Sequence, residues 1–302
     1  MITVSNVNKR FGSIRALQDV SISIREGERI AFVGTNGSGK TTLLRIILGL
    51  LRFEGTVTVA GFDVARSAHL ALRQMAYIPQ IAPPIDAPVK EVVRAQAYLR
   101  DKPEEATYAC AKRLGLDLGA SASKRFRDLS GGMKQKLLAA MALAAEAPLL
   151  VCDEPTANLD GDARTAFFNE LERRPRESIV ILCSHRIDEV RQIVDRVLQL
   201  EEGRIVRDAP LSDVLRSLKA FRVEVFFRDV PEQIHEAFSA RGFRLTGKNQ
   251  YAARVAQHEK LEVIKALLDE YNDWVLDMNV VPIEDFSLAI SAQASQADEG
   301  AS

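Results

Sequence analysis

Apolar and polar residues alternate in short runs at the start of this chain, and the period lengthens to that of a helix farther along. Ile2 to Val7, Val20 to Ile24, Ile30 to Val33 and Thr56 to Val59 are brief alternating or apolar stretches set apart by Gly, Asn and Asp, a pattern that predicts strands. From residue 82 to 147 the spacing becomes helical. Val89 to Leu99 and Glu104 to Leu114 are amphipathic, punctuated by Pro83-Pro84, Pro88, Pro103 and Gly115, which predicts a helical insert within an α/β domain. Two apolar runs follow, Pro148 to Cys152 and Ser178 to Cys183, of the kind buried on both faces of a parallel sheet. From residue 220 the pattern predicts strand (Phe221 to Phe227), helix (Val230 to Arg241), strand (Phe243 to Thr246), strand (Tyr251 to Val255), helix (His258 to Tyr271) and strand (Trp274 to Val281). The expected organisation is a large α/β domain over residues 1–217, a small α+β domain over 220–290 and a disordered tail over 291–302, rich in Ala, Ser, Gln and acids.

Composition narrows the class. Hydrophobic residues make up 47% of the 302 and charged ones 27%, ordinary values for a folded protein with a packed core. The 40 basic and 41 acidic side chains nearly cancel, so no global field draws the chain to nucleic acid, and no nucleic-acid partner is expected. No run reaches the roughly 18 apolar residues of a membrane span; Leu43 to Leu51 is too short and contains Arg45. The N-terminus leads straight into an alternating strand without a secretory pattern, which makes the cytosol the default. Cys110, Cys152 and Cys183 are odd in number and widely spaced, and read as reduced core residues.

The chemistry begins between Arg29 and Leu50. An apolar strand feeds a turn carrying Gly34, Gly37 and Gly39, followed by Lys40 and Thr41, which is G-x-x-x-x-G-K-[ST] without a gap. Glycines let backbone N–H groups turn onto phosphates, the helix starting near Lys40 aims its positive end at them, and the Lys40 ammonium reaches the β and γ oxygens. Thr41 would ligate Mg²⁺. Pro148-Leu-Leu-Val-Cys-Asp-Glu-Pro155 ends an apolar strand in two carboxylates. Asp153 would hold Mg²⁺ through water and Glu154 would polarise an attacking water, although surface acids at a strand end are equally compatible with that stretch in isolation. Asp128-Leu-Ser-Gly-Gly-Met-Lys-Gln-Lys136 places Ser130 to cap a helix beginning near Gly132, and such a helix start also suits an anion. Phe11, in the turn Lys-Arg-Phe-Gly-Ser, could stack on a purine base or pack as an ordinary aromatic. Gln80, closing Tyr77-Ile-Pro-Gln80, means little alone, and His185 stands where a parallel strand ends and ligands of open α/β sheets gather.

Together these stretches resemble the nucleotide-binding domain of ATP-binding cassette (ABC) proteins over roughly residues 1–217, with motif order and spacing specific to that family. The resemblance implies a P-loop NTPase of the ABC type, with an N-terminal antiparallel β-subdomain and a helical subdomain over about 82–147. It implies ATP and Mg²⁺ as cofactors. Phe11 matches the adenine-stacking position, and Gly34 to Thr42, including Asn36, Ser38 and Thr42, matches the phosphate loop. Gln80 matches the glutamine that senses Mg²⁺ and the attacking water. Ser130, Gly131 and Gly132 match the family signature, with Met133 replacing its usual Gln; Asp153 and Glu154 match the metal-binding acid and the base; Asn158-Leu-Asp160 resembles the loop that follows; His185 matches the switch histidine. In this family the signature faces nucleotide bound by a second copy, so the resemblance also implies a head-to-tail homodimer, an integral membrane permease as partner and a peripheral place on the cytoplasmic face of the inner membrane. The small C-terminal domain has the element order of a ferredoxin-like fold, which other α+β folds share. Pro282-Ile-Glu-Asp-Phe-Ser-Leu resembles an ending found in ATPases of type-2 exporters, those for drugs, haem, polysaccharide and copper-enzyme maturation. An exporter motor is therefore the leading expectation, with a soluble cassette ATPase acting on ribosomes or DNA as the alternative.

Overall fold

The computed structural model describes residues 1–184, 187–217, 220–228 and 232–282. Its contacts divide the chain into two units, Met1–Leu211 and Ser212–Ser302.

The first unit runs in chain order through β1 (Ile2–Phe11), β2 (Ile14–Ile24), β3 (Arg29–Val33), α1 (Lys40–Ile47), β4 (Glu54–Val59), β5 (Phe62–Asp63), α2 (Ala68–Arg73), β6 (Met75–Ile78), α3 (Val89–Arg100), α4 (Glu104–Arg113), α5 (Gly131–Ala144), β7 (Leu149–Asp153), α6 (Gly161–Glu172), β8 (Ile179–Cys183), α7 (Ile187–Ile193), β9 (Arg196–Glu201) and β10 (Arg204–Pro210). The alternating strands near the start form an antiparallel sheet in the order β2-β1-β4-β5. The apolar runs form a second sheet, β10-β9-β3-β8-β7-β6, parallel from β9 to β6 with β10 antiparallel at its edge. Between the sheets lies α1, whose Leu43, Leu44, Ile46 and Ile47 enter a core shared with Ile2, Val4, Ile30, Phe32, Val57 and Val151. Burying such side chains contributes about 1.5–3 kcal/mol each. Helices α3, α4 and α5 fall within the predicted helical insert.

The parallel strands end in register: Phe32 pairs with Cys183, Asp153 with Cys183, and Ile78 with Cys152. The segments following β3, β8, β7 and β6 therefore emerge side by side at the carboxyl edge of the sheet, where open α/β sheets bind ligands. β1 and β2 run farther than their apolar cores predicted, closing across Gly12-Ser13 with Phe11 paired to Ile14. Phe11 thus ends a strand rather than standing in a turn. The extension was hard to read because Lys9, Arg10 and Arg15 break the apolar alternation while their backbones still pair.

The second unit contains α8 (Leu211–Ser217, which begins at the division), β11 (Ala220–Phe227), α9 (Glu232–Ala240), β12 (Arg244–Gly247), β13 (Gln250–Ala256), α10 (Lys260–Tyr271) and β14 (Val275–Pro282). Its antiparallel sheet has the order β12-β13-β11-β14. With a helix after β11 and another after β13, that is the ferredoxin-like arrangement. The core is aromatic: Phe238 lies within 4.9–5.3 Å of the rings of Phe227, Phe243, Tyr251 and Tyr271. His235 on α9 is exposed, with Nδ1 2.8 Å from the Tyr251 hydroxyl. The expected tail, and the exporter-like ending beyond Pro282, lie outside the described residues.

All three cysteines are buried and free, and burial pushes the thiols of Cys110 and Cys152 up to about 11 and about 12. No helix among the described residues is long and apolar enough to cross a membrane.

Candidate active site

The loop between β3 and α1 is shaped by glycine. At Gly34 φ is +145°, and a Cβ there would stand 2.2 Å from the Leu200 carbonyl oxygen. Gly39, which caps α1 at φ +108°, would bring a Cβ 2.7 Å from the Ala16 carbonyl oxygen. A side chain fits neither position, so the backbone itself lines the turn, as a phosphate cradle requires. Thr35, Asn36 and Gly37 form an exposed rim, and Gly39 to Thr42 a half-buried floor. Lys40 Nζ lies across the loop and donates to the carbonyls of Gly34 (2.8 Å) and Thr35 (2.9 Å). Ser38 is buried, and its hydroxyl has no hydrogen-bond partner among the described residues. Its carbonyl accepts from Gly203 N, and the Gly203 carbonyl accepts from Gln18 N, lacing β2 to the loop through the β9–β10 turn. The hairpin carrying Phe11 is anchored by this route. Phe11 itself is 46% exposed, with Lys9 Nζ 4.8 Å from its ring centroid.

Asp153 ends β7 at 3% exposure, and Thr41 Oγ1 donates to its Oδ1 across 3.4 Å. Burial raises its carboxyl above the usual range, against the pull of Thr41, Arg45, Lys40 and Tyr77. Tyr77 on β6 feels the converse: burial first, then the Asp153 charge, pushes its phenol up to about 12. Among the described residues no group of three His, Cys, Asp or Glu side chains is arranged to hold a metal. A hydroxyl and a carboxylate side by side beneath a phosphate cradle nonetheless form the hard oxygen set that suits Mg²⁺, which takes one or two protein ligands together with substrate phosphates. Glu154 follows directly at φ +48°, an uncommon conformation for a residue with a side chain and one that marks functional positions. Its N–H donates to the Cys183 carbonyl at 2.9 Å. Gln80 is exposed in the segment after β6. His185 lies outside the described residues.

Ser130 caps α5, its Oγ accepting from Met133 N at 3.3 Å. Ser130 and Gly131 are exposed, while a Cβ at Gly132 would sit 3.0 Å from the Asn158 carbonyl oxygen. Asp160 caps α6 through Ala163 N at 2.8 Å and pairs with Lys136 of α5 at 2.8 Å, which holds its carboxyl below the usual range.

Several residues of this edge escaped sequence reasoning. Gln135 is buried on α5, and its Nε2 donates to the carbonyls of Pro155 (2.9 Å) and Pro79 (3.5 Å), joining the helix begun by Ser130 to the segments bearing Glu154 and Gln80. Thr156 and Glu189 are likewise buried and hydrogen-bonded to each other. For Gln135 the available signal was a polar residue on an otherwise apolar helix face, which alone does not name a partner.

Residues 17–157 match the ABC transporter family. The chain is 31% identical over 247 residues to a Nod factor export ATP-binding protein I from Burkholderia lata, covering 79% of this chain and 80% of that protein. It is 29% identical over 280 residues to a ribose import ATP-binding protein from Mesorhizobium japonicum, covering 86% of this chain and spanning 55% of that longer protein. Its structure is similar to that of an ATP-binding cassette in a dimeric, post-hydrolysis state bound to ADP and Pi, with a TM-score of 0.61 and 26% identity over 70% of this chain and 99% of the other.

Proposed function

This chain belongs to the ABC transporter family as an ATP-binding, ATP-hydrolysing subunit, and from that premise we propose the roles of its residues and its place in transport. The observation that carries the assignment is the meeting of Thr41 and Asp153 at 3.4 Å beneath the glycine loop, with Glu154 next in sequence. The loop from Gly34 to Thr42 binds the phosphates through its backbone N–H groups, with Lys40 exchanging its loop carbonyls for β and γ oxygens. Phe11 stacks on the adenine. Thr41 and Asp153, together with Gln80 as its match to the family implies, would hold Mg²⁺, which would supply neutralisation of phosphate charge. Glu154 accepts a proton from the attacking water as its oxygen bonds to the γ phosphorus and the bond to the bridging oxygen of ADP breaks. His185 is assigned to the γ-phosphate by its match to the family's switch histidine.

ABC ATPases work in pairs with transmembrane permease components. For this chain the pair is a homodimer in which Ser130, Gly131 and Gly132 of one copy cover ATP held by the other; the exposure of Ser130 and Gly131 supports it. ATP favours the closed pair because its γ-phosphate contacts both copies, and hydrolysis removes that preference. The subunit is peripheral on the cytoplasmic face of the inner membrane and drives export, supported by the Nod factor export relative.

Glu154→Gln tests the core of this reading. Hydrolysis should fall by at least about 100-fold with ATP binding retained and an ATP-dependent dimer accumulating on a sizing column. Rapid turnover by that variant rejects Glu154 as the base. Purified with ATP from gently solubilised membranes, the variant should bring a multi-span protein in near-equal amount. Recovery from the soluble fraction with ribosomal or DNA-associated proteins would replace the transporter reading. Direction follows from profiling cells that lack the chain: an export motor leaves its cargo enriched inside and depleted outside, and the reverse pattern means import.

A further inference from the structure

We propose that Glu189 is a positioning residue for hydrolysis, a buried clamp holding the loop that carries Glu154 against the loop that leads to His185. The proposal rests on Glu154 being the base. Glu189 stands on α7 at 1% exposure, and its two carboxylate oxygens serve two different loops. Oε1 accepts from the Thr156 hydroxyl at 2.5 Å, and Oε2 accepts from the Ser184 hydroxyl at 2.8 Å. Thr156 is two residues beyond Glu154, and Ser184 immediately precedes His185; both are buried.

The position of this clamp is telling. β7 and β8 pair as far as Asp153 and Cys183, and Glu154 N extends the ladder by one bond to the Cys183 carbonyl. Just beyond that point Glu189, on a third element, joins the two through Thr156 and Ser184. Arg164 of α6 balances the charge, its Nε 3.7 Å from Oε1, while its Nη2 donates to the Leu159 carbonyl at 3.5 Å. The same network therefore reaches the Asn158-Leu159-Asp160 segment.

A buried carboxylate is a costly way to fill space. Apolar side chains of similar volume would stabilise the fold as well or better. What the carboxylate adds is direction: two short hydrogen bonds to fixed hydroxyls set the separation of two loops, and a misplacement of about 1 Å at a reacting centre costs on the order of 100-fold in rate.

The hydroxyl partners provide the test, because they can be removed without unbalancing a buried charge. Thr156→Val and Ser184→Ala in the full chain should each lower kcat for ATP hydrolysis by about tenfold, with KM for ATP within about twofold of the parent. Thr156→Ser, which restores a hydroxyl, should recover most of the rate. Combining Thr156→Val with Glu189→Gln should cost no more than the worse single change, as expected of groups acting as one unit. Unchanged kcat per folded molecule with only a lowered Tm, or losses that multiply, would overturn the clamp. Glu154→Gln assayed alongside separates the two claims. Full activity there rejects the base, and the clamp with it; full activity in Thr156→Val while Glu154→Gln is inactive rejects the clamp alone.

Discussion

Burying Asp153 to 3% exposure raises its carboxyl above the ordinary range, so the folded chain binds that proton more tightly than the unfolded chain does. Its contribution to stability is accordingly greatest below the unfolded pKa and declines as pH rises through the folded one. Where it is ionised the group is a cost to the fold, retained for what it binds. Asp153→Asn should then raise Tm of the nucleotide-free protein at pH 7, with the gain shrinking as pH falls into the range where Asp153 itself is protonated. The same variant should lose Mg²⁺-dependent ATP hydrolysis. Thermal unfolding across pH reads the first effect and phosphate release the second; a lowered Tm at pH 7 would mean that the charge is compensated after all. The phosphate loop and the acid pair were legible from sequence because their chemistry needs fixed spacing along the chain. Tyr77, Gln135 and Glu189 were not, since their importance comes from partners many residues away, and a lone buried polar side chain announces only that some partner exists.

Helices are tied to the sheet edge by a few polar contacts. Gln135 connects α5 to two proline carbonyls, Pro155 after Glu154 and Pro79 before Gln80. Gln135→Met keeps the volume and removes the donor. Leaving buried carbonyls unpaired costs about 1–3 kcal/mol, and hydrolysis should fall more than nucleotide binding because the Ser130 helix loses its link to both segments. Denaturant unfolding and a comparison of kcat with ATP affinity check the two parts. Farther from the site, Arg113 of α4 grips Glu170 of α6 through bonds of 2.8 and 2.7 Å, and Arg173 adds one of 2.6 Å. Burial alone would raise the Glu170 carboxyl, but the arginines lower it. A lowered carboxyl contributes stability above its unfolded pKa and loses it as pH falls through the folded one. Arg113→Met should cost about 1 kcal/mol, since Arg113 is 46% exposed and its charge is screened. The difference should be largest near neutral pH and vanish in acid; a difference independent of pH would assign it to packing alone. Helices α3 and α4 were readable from their period and proline boundaries. The outer halves of β1 and β2 were not, because charged side chains hide strands whose backbones are paired.

At the scale of the whole molecule, every described residue assigned to ATP falls in the unit Met1–Leu211, including both halves of the proposed sandwich, the phosphate loop and Ser130. The ferredoxin-like unit has its own aromatic core around Phe238 and supplies no residue to that assignment. Its element order was readable because each strand and helix has a clean period, whereas nothing in its sequence points to a ligand. A chain ending at residue 217 should therefore fold, bind ATP and reach the kcat of the full chain within about twofold once dimers form. Association is the place for an effect, because binding that favours the folded or paired state acts through concentration. If the second unit strengthens the pair, the truncated chain should need a higher protein concentration for half-maximal activity, with the plateau unchanged. Measuring specific ATPase activity across a protein dilution series separates these outcomes. A shifted curve with the same plateau assigns the second unit to dimerisation, an unshifted curve frees it from that role, and a lowered plateau at saturating concentration would show that the catalytic unit does not end where its residues do.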